Sequence, residues 1–312
     1  MSLTTQHGLW AVVVDNDPTS TDIIGGITAM NVRTGSEIRN EARSNEVYPR
    51  FQSLVAQKPV GTFATSAIAA ALDVAGPTGL DLDGLSNGLH FYAQKGADGG
   101  TRAGATSHRK YAIVDGILIP RRLTCEHRGD ASLEYESVIT YDGSNDPVTV
   151  TDSASLPAGI ADAERFTLGS ATLETEALTG LTRFELDFGI KARAEGADSD
   201  IWDTIVTIEE IMGVLKLRGK DPAWFKSDVI PLGGKAVTHA NTSVYLRKRA
   251  AGATFVADGT EEHIKFTFAG LAVIETLFDA QGNATGETEL MMPLYYDGSN
   301  DPMVIDTTAA IS

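Results

Sequence analysis

The chain has 312 residues, with 25 Lys+Arg against 42 Asp+Glu and a formal net charge of −17. A surface this acidic is a poor partner for nucleic-acid phosphates or anionic lipid. One cysteine, Cys125, excludes an intrachain disulfide and suits a reducing compartment.

From the N-terminus, residues 1–10 lack the charged and apolar regions of a signal peptide. Nowhere does an apolar run reach the ~18 residues of a membrane span. Residues 10–14 (WAVVV) read as a buried strand. Residues 64–75 are rich in alanine and stop at Gly76-Pro77, so they predict a helix capped by Thr65 or Ser66. The Gly/Asp-rich stretches 76–89 and 96–107 read as loops. Residues 110–119 read as a strand. A long hairpin follows, with residues 117–125 and 133–141 flanking a turn at 127–130. Cys125 falls in its first strand as a small apolar residue.

Residues 151–159 are small and polar with one proline, the composition of a linker. Beyond it, Phe184, Leu186, Phe188, Ile190 and Ala192 alternate with Arg183, Glu185, Asp187, Lys191 and Arg193, which predicts one half-buried strand. Asp221-Pro222 opens a compact helix over 221–226. Residues 263–273 read as a strand, and residues 271–278 and 287–296 as a second long hairpin around 279–283.

The string YDGSNDP occurs at 141–147 and again, letter for letter, at 296–302. At a shift of 154 Gly26, Thr28 and Gly35 fall on Gly180, Thr182 and Gly189. Arg39 and Glu41 fall on Arg193 and Glu195, and Tyr48 on Trp202. At 155, His108, Lys110 and Glu134 fall on His263, Lys265 and Glu289. Solenoid units run about 20–50 residues; a near-constant shift this large predicts a duplicated domain. The fold class expected is therefore mainly β with a flanking helix. Two tandem β-sandwich or barrel units, 1–155 and 156–312, carry −6 and −11 by the same charge count.

The chain has no Gly-x-Ser-x-Gly elbow, P-loop or His-Glu-x-x-His motif, so catalysis is not expected. His108 and His263 lack a second nearby ligand and read as surface or strand residues rather than metal ligands. In the repeated string Asp142, Asn145 and Asp146, and Asp297, Asn300 and Asp301, are oxygen donors. Their order is not that of an EF-hand, and the reading is a turn following Tyr141 and Tyr296. Identity there suits a contact made twice in one assembly. No metal or cofactor is expected.

In its duplicated organisation, the helix pattern of residues 63–72, the long segments after Gly35 and Gly189 and the terminal hairpins, the chain resembles the tail tube (major tail) proteins of long-tailed bacteriophages. That resemblance implies a structural virion protein, assembled in the host cytoplasm, whose inner hairpins join into a continuous β-barrel. Simple members form rings of six, so a two-unit chain implies homotrimeric rings of pseudo-six-fold symmetry. The rings stack into a conduit for DNA. The implied partners are further copies of the chain, the tape measure and terminator proteins at the tube ends, and DNA in passage. Glu134, Glu136, Glu287 and Glu289 alternate on strand faces and are expected to line the lumen. Residues 36–50 and 190–204, with Arg39, Glu41, Tyr48, Arg193, Glu195 and Trp202, are expected to reach a neighbouring subunit or ring. A capsid decoration protein, a carbohydrate- or receptor-binding module and a carboxylate-pair hydrolase are the competing readings.

Overall fold

Alternating sequence becomes antiparallel pairing almost throughout the computed structural model. It describes residues 7–14, 23–42, 44, 47–83, 85, 88–95, 108–156, 164–174, 176–197, 200–221, 224, 238–239, 242–252, 254–272, 275–280 and 286–311. In chain order these form β1 (His7–Val14), β2 (Ile23–Ile24), β3 (Ile27–Arg33), β4 (Ser36–Glu41), β5 (Phe51–Gln57), β6 (Val60–Thr65) and helix α1 (Ile68–Val74). Then come β7 (Leu80–Asp81), β8 (Leu89–Lys95), β9 (His108–Ile113), β10 (Gly116–Glu126), β11 (Ser132–Ile139) and β12 (Val148–Ala154). Next are β13 (Phe166–Leu173), β14 (Glu176–Ala177), β15 (Leu181–Asp187), β16 (Ile190–Glu195), β17 (Ile205–Ile211) and β18 (Val214–Gly219). The last are β19 (Thr238–His239), β20 (Thr242–Lys248), β21 (His263–Phe268), β22 (Leu271–Ala272), β23 (Glu275–Asp279), β24 (Glu287–Pro293) and β25 (Met303–Ala309). The protein is mainly β, with several antiparallel sheets and one short helix among the described residues.

The largest sheet is ordered β23-β24-β18-β15-β10-β11-β6-β3, with β7 beside β10. Two five-stranded sheets are ordered β12-β9-β8-β1-β2 and β14-β13-β20-β21-β25. The hairpins β4-β5 and β16-β17 stand as separate two-stranded arms. One face of the large sheet is apolar: Leu123, Cys125, Leu133, Tyr135, Phe184, Leu186, Leu215, Leu217, Leu290 and Met292 are all buried. They share one core with Leu89, Phe91 and Ile113 of the first small sheet and Phe166, Val244 and Phe266 of the other. The core is therefore continuous across residue 155. The Tyr135 hydroxyl lies 3.0 Å from the Ala71 carbonyl and 2.9 Å from that of Ala75, which ties α1 to the sheet.

Both expected hairpins form, as β10–β11 and β23–β24; residues 281–283 of the second turn lie outside the described residues. Three expected strands are each broken. Residues 110–119 divide at Gly116 (φ 122), where an added Cβ would collide with the Val138 carbonyl. Residues 183–193 divide at Gly189 (φ 64), where it would strike the Met212 carbonyl. Residues 263–273 divide between β21 and β22. Two-residue periodicity runs straight through such breaks, so pattern alone does not reveal them.

The helix begins later than expected. Ala64 and Thr65 belong to β6, where they pair with Glu134 and Leu133, and α1 starts at Ile68. Thr65 still accepts from the Ala67 amide at 3.0 Å, but as a turn before the helix rather than as its N-cap. The expected linker is in part a strand: Thr151 pairs with Lys110 and Ala154 with His108. Ser, Thr and Asp look alike on an exposed edge strand and in a linker; only 157–159 of that segment lie outside the described residues. The expected loop 96–107 lies wholly outside them, as does most of the expected helix 221–226. Trp224 is described, is buried, and donates from its indole to the Thr179 carbonyl at 2.7 Å.

Candidate functional site

Among the described residues no group of three or more His, Cys, Asp and Glu could hold a metal ion. His108 and His263 are buried in strands. The His263 Nδ1 accepts from the Lys248 amide at 3.0 Å and Nε2 lies 3.1 Å from the Ala257 carbonyl. Burial pushes the Cys125 thiol up to about 12, so it stays protonated and is a poor nucleophile at neutral pH.

Chemistry concentrates instead on the outward face of the large sheet. Glu134, Glu136, Glu287 and Glu289 all project there, on alternate positions of β11 and β24. They do not form a purely acidic wall. Arg121 holds Glu136 at 3.0 Å, and Arg218 holds Glu289 at 2.5 Å and Glu287 at 3.5 Å. Between them Glu185 receives Arg122 at 2.7 Å, Arg183 at 3.1 Å and Lys216 at 3.8 Å. Burial alone would raise the Glu185 carboxyl, but these cations outweigh it and hold the group below the ordinary glutamate range. The basic residues between the glutamates were visible in sequence; their pairing across strands was not.

The centre of this sheet is a joint between residues far apart in sequence. β10 pairs with β15 through Arg122↔Asp187, Leu123↔Leu186, Thr124↔Glu185, Cys125↔Phe184 and Glu126↔Arg183. Leu123 and Leu186 are fully buried. Phe188 donates its amide to the Arg121 carbonyl at 3.1 Å, and the Arg121 guanidinium reaches the Ile190 carbonyl at 2.5 Å.

The segments expected to reach outward are the arms. In each, the repeated arginine and glutamate form an ion pair along one strand: Arg39 with Glu41 at 2.5 Å, and Arg193 with Glu195. The connection from β16 to β17 folds back on the first half of the chain. Trp202 packs on Tyr141 with ring centroids 4.9 Å apart, and its indole donates to Gln57 Oε1 at 2.9 Å. The Tyr141 amide donates to the Asp203 carbonyl at 2.9 Å, and the Gln57 amide to that of Ile201 at 2.6 Å. Among the described residues Tyr48 makes no comparable contact, and it is 82 % exposed. Sequence reading singled out Tyr141 and Trp202 without joining them, and it missed Gln57, which no motif marks.

Both copies of the repeated string form the same turn. Asp142 accepts from the amides of Ser144 and Asn145 at 2.8 and 2.7 Å and from the Asn145 side chain at 2.7 Å. Asp297 accepts from Ser299, Asn300 and the Asn300 side chain at 2.7, 2.8 and 3.0 Å. Hydrogen bonds from the following asparagine lower the pKa of both carboxyls. Asp146 and Asp301 accept none of these bonds. Tyr296 is 62 % exposed.

No protein-family model and no curated protein matches the chain at a significant level.

Proposed function

We propose that the chain is one fold written twice, and that three copies close into a pseudo-six-fold ring that stacks into the tail tube of a long-tailed bacteriophage. Several observations support the duplication. The bounds of β3, β4, β5 and β6 recur 154 residues later as those of β15, β16, β17 and β18. The order β12-β9-β8-β1-β2 corresponds strand for strand to β25-β21-β20-β13-β14. The large sheet divides into β10-β11-β6-β3 and β23-β24-β18-β15, four strands in the same order from each half.

The observation that carries the ring reading is the joint. β10 of one half meets β15 of the other, and β15 corresponds to β3. Among the described residues the sheet therefore ends in two unlike edges without a partner strand, β23 and β3, whose counterparts already pair once. An interface between unlike edges is head-to-tail, and repeated head-to-tail contacts close into rings when the rotation permits. Closure also leaves no bare edge. In this reading the charged outward face lines the lumen. Four of its arginines, Arg121, Arg122, Arg183 and Arg218, are held by carboxylates, which leaves DNA fewer free cations, and phosphate affinity depends on such cations. That suits passage without retention.

The test is native mass spectrometry with negative-stain microscopy of the purified protein. A 33.1-kDa chain predicts a ring of three copies, about 99 kDa, and tubes of uniform width. Six chains per ring, or a protein that stays monomeric at every concentration, contradicts the proposal.

A further inference from the structure

We infer that one copy of the chain presents β23 and the loop at Tyr296 to β3 and the β4–β5 arm of a second copy, in the register that β10 and β15 already use. This rests on the ring reading and specifies the contact that reading needs. The intrachain joint supplies the template. Carrying its pairs over by the observed shifts puts Phe278 opposite Val32, as Leu123 is opposite Leu186. It puts Leu277 opposite Arg33 and Asp279 opposite Asn31. Asp279 then lies diagonal to Arg33, within reach of an ion pair on the outward face. The same shifts bring Tyr48 of the second copy onto Tyr296 of the first, as Trp202 lies on Tyr141.

The exposure of these side chains fits an interface awaiting its partner. Tyr48, Val47, Tyr296 and Leu277 are exposed, whereas Leu123 and Leu186 are completely buried. Large apolar side chains gathered at unpaired edges mark interaction surfaces. One difference is built in. Gln57, which takes the Trp202 indole, corresponds to Ile211, which is exposed and cannot accept a hydrogen bond. The contact between copies therefore replaces a polar pair by apolar packing of Ile211 against Val47 and Tyr48. It also explains why the heptapeptide is identical in both places: each copy of the turn receives an aromatic from an arm.

The experiment is thiol cross-linking of the full chain with Cys125→Ser as background. Val32→Cys with Phe278→Cys, and separately Tyr48→Cys with Tyr296→Cys, are oxidised after assembly. Each pair should give a ladder of two and three linked chains on a non-reducing gel. Val32→Cys with Tyr296→Cys, and each single variant, should give none. Rings seen by native mass spectrometry that link at neither pair, or a link from Val32→Cys alone, would overturn this register while leaving the ring reading intact. Absence of any ring from the unmodified chain overturns both. Should the thiol variants fold poorly, Tyr48→Ala with Tyr296→Ala alters exposed positions only. It should weaken assembly about tenfold or more with an unchanged monomer melting temperature; undiminished assembly counts against the inference.

Discussion

The loops at 141–147 and 296–302 have one sequence and one set of internal hydrogen bonds, yet one is half covered and the other is open. Tyr141 lies under Trp202 and its amide is held by Asp203; Tyr296 faces solvent. The comparison separates what seven residues dictate from what their surroundings decide. An aspartate that accepts from the residues two and three positions on fixes the turn wherever it is placed. Whether the turn is a contact depends on what crosses it. On the proposed duplication the same contrast holds for the joint: β10 and β15 are buried against each other, while β23 and β3 have no partner strand on their outer sides among the described residues.

The comparison breaks most visibly in the core. Phe184→Ala removes a fully buried ring at the joint and should cost about 3–5 kcal/mol in chemical denaturation. Leu277→Ala on β23, the edge strand among the described residues, should leave the monomer within about 0.5 kcal/mol. Equal losses would mean that the two edges are not open and closed forms of one contact. Gly189→Ala comes next, since it forces a side chain into a left-handed position against the Met212 carbonyl. A loss of about 1–3 kcal/mol is expected, with amide exchange of the β16–β17 arm accelerated most. Trp202→Ala should destabilise the monomer by about 1–2 kcal/mol through lost stacking and the lost Gln57 bond. Tyr48→Ala should be almost silent in the same assay.

The smallest effect is titration. Glu185 is held below its ordinary value, so its stabilisation is complete above the unfolded pKa of about 4.3 and disappears as pH falls through the folded one. The melting-temperature gap between wild type and Glu185→Gln should therefore shrink on acidification below about pH 4. Asp142 and Asp297 are shifted in the same direction, so exchange of the Ser144 and Ser299 amides should quicken together in the same acid range. A different response from the two loops would show that Trp202 stiffens its partner.

Much of this was legible because strands advertise themselves by period two. Both hairpins, the heptapeptide turns and the placement of Cys125 follow from local pattern and turn chemistry. The start of α1 was not legible, because Ala64 suits a helix by propensity and Thr65 suits its cap, yet both are claimed by neighbours in the sheet. The β10–β15 joint was hidden for a related reason: pairing partners more than 50 residues apart leave no local mark. Among the site residues, Arg39 with Glu41 and Arg193 with Glu195 emerged from the repeat alone. Glu134, Glu136, Glu287 and Glu289 were placed on the correct strands, but Arg121 and Arg218, which hold three of them, are cross-strand partners that no local pattern marks.

Pro120 sits inside β10, the longest strand among the described residues, where a missing amide would normally break a ladder. Its pairing slips at this point: Pro120 lies opposite Tyr135 and Arg122 opposite Glu134, leaving Arg121 as the extra residue. On the other flank β7 ends at Leu118 and β15 begins at Arg122, so no partner strand spans the proline. A long alternating strand can slide by two residues and keep its faces correct, which makes such sheets prone to misalignment. Here a slide in either direction would carry the proline opposite a carbonyl needing a donor and the bulge opposite a regular pair. The irregularity therefore works as an index mark, giving the strand that pairs across to residues 183–187 a single alignment to settle into.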